Sequence, residues 1–234
     1  MIGTTEARRR GSTLLAAIAV VGVFGAMAAC SDDDDIIIPT AAVRTFADSS
    51  FNFATLHTFS MPDTVAHFAP LTGTPLAVSN QFDATILAQV RTDLLARGYT
   101  EVTASTTVRP DFVVLTGVSA TQNYNAFLTS NWSTYWGYWS GWGWVGVPID
   151  PAWTIVYPWY PVVGVTAFDR GTLVVTIVPT GPQINPLLGA KEIQAAWAGV
   201  ATTLLGDGSS PTQAGVQTAI NIMFQQSPYL TNTP

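Results

Sequence analysis

Apolar positions recur along this chain with two periods, and the switches between them mark out its elements. From Gln81 to Arg97, Phe82, Ile86, Val90 and Leu94 return at every fourth position with Leu87 beside them, which predicts an amphipathic helix. Asn80 stands where an N-cap would accept an amide hydrogen bond, Asp83 suits the positive end of the helix dipole, and Gly98 can take the left-handed conformation that closes the helix. A second helix is expected from Ser210-Pro211-Thr212-Gln213, a capping box with proline at the first helical position. It should end by Ser227, with Val216, Ile220, Met223 and Phe224 on its buried face.

Between the helices the residues turn β-branched and aromatic. Phe112 to Ser119, Thr172 to Val178 and Ile193 to Ala201 read as strands bounded by Gly and Pro. Shorter candidates are Val43 to Phe46, Phe53 to Phe59, Tyr99 to Val102 and Val162 to Phe168. Strands, a helix, several strands and a final helix predict an α+β domain, an antiparallel sheet with two helices packed on one face.

The N-terminus follows a different logic. Arg8, Arg9 and Arg10 precede the uncharged apolar stretch Leu14 to Ala26, the composition of an export signal. That stretch falls short of the roughly 20 apolar residues a spanning helix needs. Met27-Ala28-Ala29-Cys30 follows and resembles the bacterial lipobox, with Met27 in place of the commoner Leu. The resemblance implies cleavage before Cys30, a diacylglyceryl group on its thiol and an acyl group on its amine. Two or three chains on one cysteine give durable anchoring, since each buried methylene contributes about 0.8 kcal/mol. The expected organisation is a cleaved signal peptide over 1–29, a lipidated cysteine and flexible acidic tether over 30–42, and one domain over 43–234.

Removing residues 1–29 leaves six basic and fourteen acidic side chains, a formal charge of −8, of which Asp32 to Asp35 supply four. Four adjacent carboxylates in a tether lack the spacing of a calcium loop and read as a solvated spacer. No basic cluster remains to neutralise phosphates, so nucleic acid is excluded as an expected partner. Cys30 is the one cysteine, which rules out an intramolecular disulfide. Ser31 stands where an Asp would, by resemblance to enteric lipoproteins, mean inner-membrane retention; the expected location is the outer membrane facing the periplasm. An acidic run after the lipidated cysteine also resembles the surface-export signals of some Bacteroidetes lipoproteins, which keeps outward display open.

Beyond the tether, the chain resembles the bacterial lipoproteins of domain-of-unknown-function family 4136. Asn52-Phe53-Ala54-Thr55-Leu56-His57-Thr58-Phe59 is similar to that family's opening strand, usually Asp-Phe-Ser, any residue, Tyr-Lys-Thr, then Phe or Tyr. Gly98-Tyr99, Pro110-Asp111-Phe112-Val113-Val114, Gly171-Thr172-Leu173-Val174-Val175, Ala196 to Ala201, and Ala219 to Phe224 with Pro228 also match. Asn52, Leu56 and His57 depart from the usual Asp, Tyr and Lys, and Thr176 and Ala198 stand where Asp and Arg are common. The resemblance implies a fold and an envelope location, and no activity or catalytic residues.

Catalytic chemistry finds little footing. His57 and His67 lack zinc-ligand spacing, and no nucleophile elbow, phosphate loop or dinucleotide fingerprint occurs. Asp111, Asp150 and Asp169 would serve a hydrolase only by converging in space; Asp111 reads instead as a strand cap able to pair with Arg109, and Asp169-Arg170-Gly171 as a turn. No catalytic residue, metal or cofactor is expected. The unusual segment is Asn131 to Tyr160, which holds seven of the eight tryptophans. Trp153, Tyr157, Trp159 and Tyr160 read as packing on the sheet. Trp132, Tyr135, Trp136, Tyr138, Trp139, Trp142 and Trp144 place rings on both faces of any strand, leaving one face for a partner. The expected role is non-catalytic binding or scaffolding at the membrane, cell-wall glycan or an envelope protein. The alternative is a module whose aromatic platform takes glycan or the lipid interface, with a hydrolase third.

Overall fold

The computed structural model describes residues 43–68, 79–103, 109–119, 154–156, 171–180, 192–202, 204–205 and 211–232. The expected signal peptide, Cys30, the acidic tether and the strand at Val162 to Phe168 lie outside them. In chain order the elements are β1 (Val43–Ala47), a 3-10 turn (Phe53–Thr55), β2 (Thr58–Ser60), β3 (Ala66–Phe68), α1 (Asp83–Ala96), β4 (Thr100–Glu101) and β5 (Phe112–Ser119). They continue with β6 (Thr154–Val156), β7 (Thr172–Pro179), β8 (Glu192–Gln194), β9 (Trp197–Ala201) and α2 (Gln213–Gln225).

Seven strands form one sheet in the order β1-β9-β7-β5-β2-β4, with β3 also on β5. The class is α+β, but the sheet is mixed rather than antiparallel. β1, β9, β7 and β5 alternate in direction, whereas β2 runs parallel to both β4 and β5, and β3 runs parallel to β5. Helix α1 stands between β2–β3 and β4 in the chain and accounts for the parallel β2–β4 pair. A helical crossover returns the chain in the direction it left, so the strands it joins are parallel. β2 and β3 meet opposite ends of β5, at Phe112–Val113 and Gly117–Ser119, as two pieces of one interrupted strand.

Phe112, Val114 and Val118 of β5, Leu173, Val175 and Ile177 of β7, and Trp197 of β9 join the apolar stripes of α1 and α2 in one core. Phe82, Ile86, Leu87, Val90 and Leu94 are buried as the periodicity requires, and so are Val216, Ile220, Met223 and Phe224. The alternate residues Val113, Leu115, Val174, Val178 and Ala198 are buried as well, so the central strands are enclosed on both faces. Such strands lack polar alternation, which explains the continuous apolar runs in the sequence.

Several local expectations are corrected. Helix α1 opens at Asp83 after Phe82 with no side-chain cap; Asn80 contributes only its carbonyl, to Asp83 N at 3.1 Å. Its far end follows the expectation: Gly98 has φ +86°, Gly98 N donates to Leu95 O at 3.0 Å and Tyr99 N to Leu94 O at 3.2 Å, a Schellman closure. Helix α2 starts two residues past Pro211, because Thr212 is extended and its Oγ1 accepts from Gly215 N at 3.0 Å. The stretch Phe53 to Phe59 is not one strand, since the Asn52 side chain accepts from Ala54 N and opens a 3-10 turn. Ile193 to Ala201 divides at Ala195–Ala196, with β8 pairing in parallel with β6 in a separate two-stranded sheet.

Candidate functional site

Asp111 gathers the polar contacts at one end of the central sheet. Its Oδ2 accepts from His57 N at 2.8 Å, Thr58 N at 2.9 Å and Thr58 Oγ1 at 3.0 Å. Its own N donates to Thr58 O at 3.0 Å, and Thr180 N donates to Asp111 O at 3.0 Å. Asp111 thus caps the start of β2 across 54 residues of chain, a wider form of the strand-capping role expected of it. The expected Arg109–Asp111 ion pair is not formed among the described residues. That leaves Arg109 without a hydrogen-bond or charge partner there, and Asp111 Oδ1 unengaged.

These two residues line an open groove of about 380 Å³, with Phe51, Leu56, Pro110 and Pro179 among the rest of its lining. Phe51 touches Phe53 edge-on with ring centroids 5.1 Å apart, and Phe53 lies 5.3 Å from Tyr229, which is 41% exposed. The groove draws on separate stretches of chain. Sequence reasoning singled out Asp111 and Arg109 for each other and had no local signal for the rest.

Both histidines join elements. His57 Nδ1 lies 2.5 Å from Asn232 Oδ1, whose Nδ2 donates to Gly98 O at 2.8 Å; that fixes the amide orientation and makes His57 Nδ1 the donor. His67 Nε2 sits 3.0 Å from both oxygens of Asp83 at the start of α1. Arg91 on α1 donates from Nε to Glu101 Oε1 at 2.9 Å and from a terminal nitrogen to Asp63. Burial pulls the Arg91 guanidinium down, but the bonds and charges of Glu101 and Asp63 outweigh it and hold the group above its ordinary value. Burial also pushes the Tyr99 phenol up to about 12, against the opposing pull of Arg97. Its hydroxyl has no hydrogen-bond partner among the described residues.

Cys30 and the aromatic candidates Trp132, Tyr135, Trp136, Tyr138, Trp139, Trp142 and Trp144 lie outside the described residues, as do Asp150 and Asp169. Among the described residues no group of three or more His, Cys, Asp or Glu is placed to hold a metal ion. Nor is any helix there long and apolar enough to cross a membrane.

Residues 43–229 match the family model described as domain of unknown function DUF4136. Among solved structures, the chain is similar to a DUF4136 family protein from Bacteroides thetaiotaomicron at 21% identity and TM-score 0.54, covering 82% of this chain and 97% of that one. Two PelC dodecamers from Paraburkholderia phytofirmans align at 11% and 10% identity with TM-scores of 0.36, each covering 81% of this chain and 97% of the other. No curated protein matches.

Proposed function

The chain belongs to the DUF4136 family, and from that premise we propose that it is a membrane-anchored bacterial envelope lipoprotein with a non-catalytic binding or scaffolding role. The observation that carries this reading is the succession of Arg8 to Arg10, the apolar stretch Leu14 to Ala26, and Met27-Ala28-Ala29-Cys30. Lipid on Cys30 holds the mature chain to the outer membrane facing the periplasm, or to the cell surface under the acidic run Asp32 to Asp35. Support for a non-catalytic role comes from the polar side chains themselves. Asp111, His57, His67 and Arg91 each join one element to another, the work of residues that hold a fold together.

A second reading makes the chain a ligand-binding module, in which Trp132 to Trp144 form a platform for glycan or the lipid interface. It is favoured by the concentration of tryptophan and tyrosine in a stretch where Asp150 is the one charge between Phe112 and Phe168. The lipoprotein reading is tested by Cys30→Ser. The variant is expected to lose metabolic fatty-acid labelling and to leave the membrane fraction or accumulate as precursor. Unchanged labelling and membrane retention would refute it.

A further inference from the structure

We infer that the groove between Arg109 and Asp111 is a binding site for a neutral, hydroxyl-rich glycan. The inference deepens the envelope-binding reading and rests on it for where the ligand is met. Asp111 Oδ2 accepts from three donors of β2 and its approach, so the carboxylate is fixed in place while Oδ1 has no hydrogen-bond partner among the described residues. Arg109 lines the same groove with its donors unclaimed among the described residues.

One wall group donates and the other accepts, and their charges cancel. An anion would gain Arg109 but meet the Asp111 carboxylate, and a cation would meet the reverse. A sugar hydroxyl both donates and accepts, so a hydroxyl pair can answer Asp111 Oδ1 and the Arg109 guanidinium together. Half-buried Phe51, with the edges of the buried Leu56, Pro110 and Pro179 beside it, supplies a small apolar surface for the C–H face of a sugar ring.

The groove's position in the sheet fits the role. Val43 pairs with Ala201, Ala201 with Leu173, and Leu173 with Val118, so the chain enters the sheet in the row of Val118. Asp111 lies seven residues away along the same run, about 23 Å at roughly 3.3 Å per residue. The groove therefore opens at the end of the sheet opposite the one where the chain enters from its N-terminal side.

The test titrates chitotetraose, a neutral acetamido-glycan, into the full-length mature chain in detergent, with inorganic phosphate as the anionic control. Envelope association is measured in parallel by crosslinking in cells. Chitotetraose should bind, and Arg109→Gln should weaken it about tenfold through loss of charge-assisted hydrogen bonds, with an unchanged melting temperature because Arg109 bonds to no other element among the described residues. Phosphate should neither bind nor compete. Preferential phosphate binding, an unaltered chitotetraose affinity in Arg109→Gln, or no chitotetraose binding would each overturn the inference. In all three cases retained envelope association leaves the broader reading standing, and its loss defeats both.

Discussion

Thr176 on β7 stands directly opposite Ala198 on β9, and its hydroxyl is buried without a hydrogen-bond partner among the described residues. By resemblance these are positions where the family commonly carries Asp and Arg, and the register makes them cross-strand neighbours, close enough for a pair to form. Here the exchange for a small residue and a hydroxyl removes two charges from a buried site and leaves one polar atom unanswered. Thr176→Val, which keeps the shape and removes the orphan, should raise stability by about 1 kcal/mol. A drop in melting temperature would show that the hydroxyl has a partner, such as a buried water.

Gly117 is required by packing. A Cβ added there would fall 2.3 Å from Phe68 Cε2, and Phe68 is itself buried against β5. Gly117→Ala should therefore cost about 1 to 3 kcal/mol by overpacking. Adding Phe68→Leu should recover part of the loss, and no recovery in that double variant would locate the strain elsewhere.

Asp111 closes the junction between β2 and β5, and the two backbone donors it accepts are the largest stake. Asp111→Ala leaves His57 N and Thr58 N without their acceptor and should cost about 1 to 3 kcal/mol. Asp111→Asn keeps an oxygen in reach and should cost less. Equal denaturation midpoints for the two variants would contradict the capping role.

How far these relationships were legible in sequence depends on whether their cause is local. The limits of β5 and the stripes of α1 and α2 follow from side-chain periodicity, and the Gly98 closure from a single residue's freedom at positive φ. Strand direction is not local: β2 and β4 are three and two residues long, too short for a period, and their parallel pairing comes from the α1 crossover. The division between β8 and β9 hides in an unbroken apolar run because Ala195 and Ala196 are as buried as the strands beside them. Arg109 and Asp111 looked like a pair because they are neighbours in the chain, whereas the carboxylate is held by donors more than 50 residues away.

Asp93 on α1 sets a pH dependence. Burial pushes its carboxyl above the usual range, while the Gln89 amide and Arg97 charge pull it back. A carboxyl raised on folding binds its proton more tightly in the native chain. It therefore favours folding below its unfolded pKa, and that contribution is lost as pH rises through the folded value. Charged Asp93 thus weakens the fold at neutral pH, and Asp93→Asn should raise the melting temperature there. The gain should shrink on acidification to the range where Asp93 is itself neutral; an advantage independent of pH would show a cause other than ionisation.

Trp197 offers the standard against which the other tryptophans can be measured. Its ring is fully buried, stacks on Phe224 with centroids 5.5 Å apart, and donates from Nε1 to Ser227 Oγ at 2.9 Å. Packing around it is tight enough that a Cβ on Gly199 would fall 2.8 Å from its Cη2. Trp197→Ala should accordingly cost about 3 to 5 kcal/mol, the range for a large aromatic removed from a core. Rings displayed to a partner behave differently, because their removal takes away contact area without opening a cavity. If Trp136, Trp139 and Trp142 serve binding, changing all three to alanine should cost less stability than Trp197→Ala alone and should weaken association with envelope material. A larger fall in melting temperature for the triple variant would make those rings core, and unchanged envelope association would remove the aromatic platform as a binding surface.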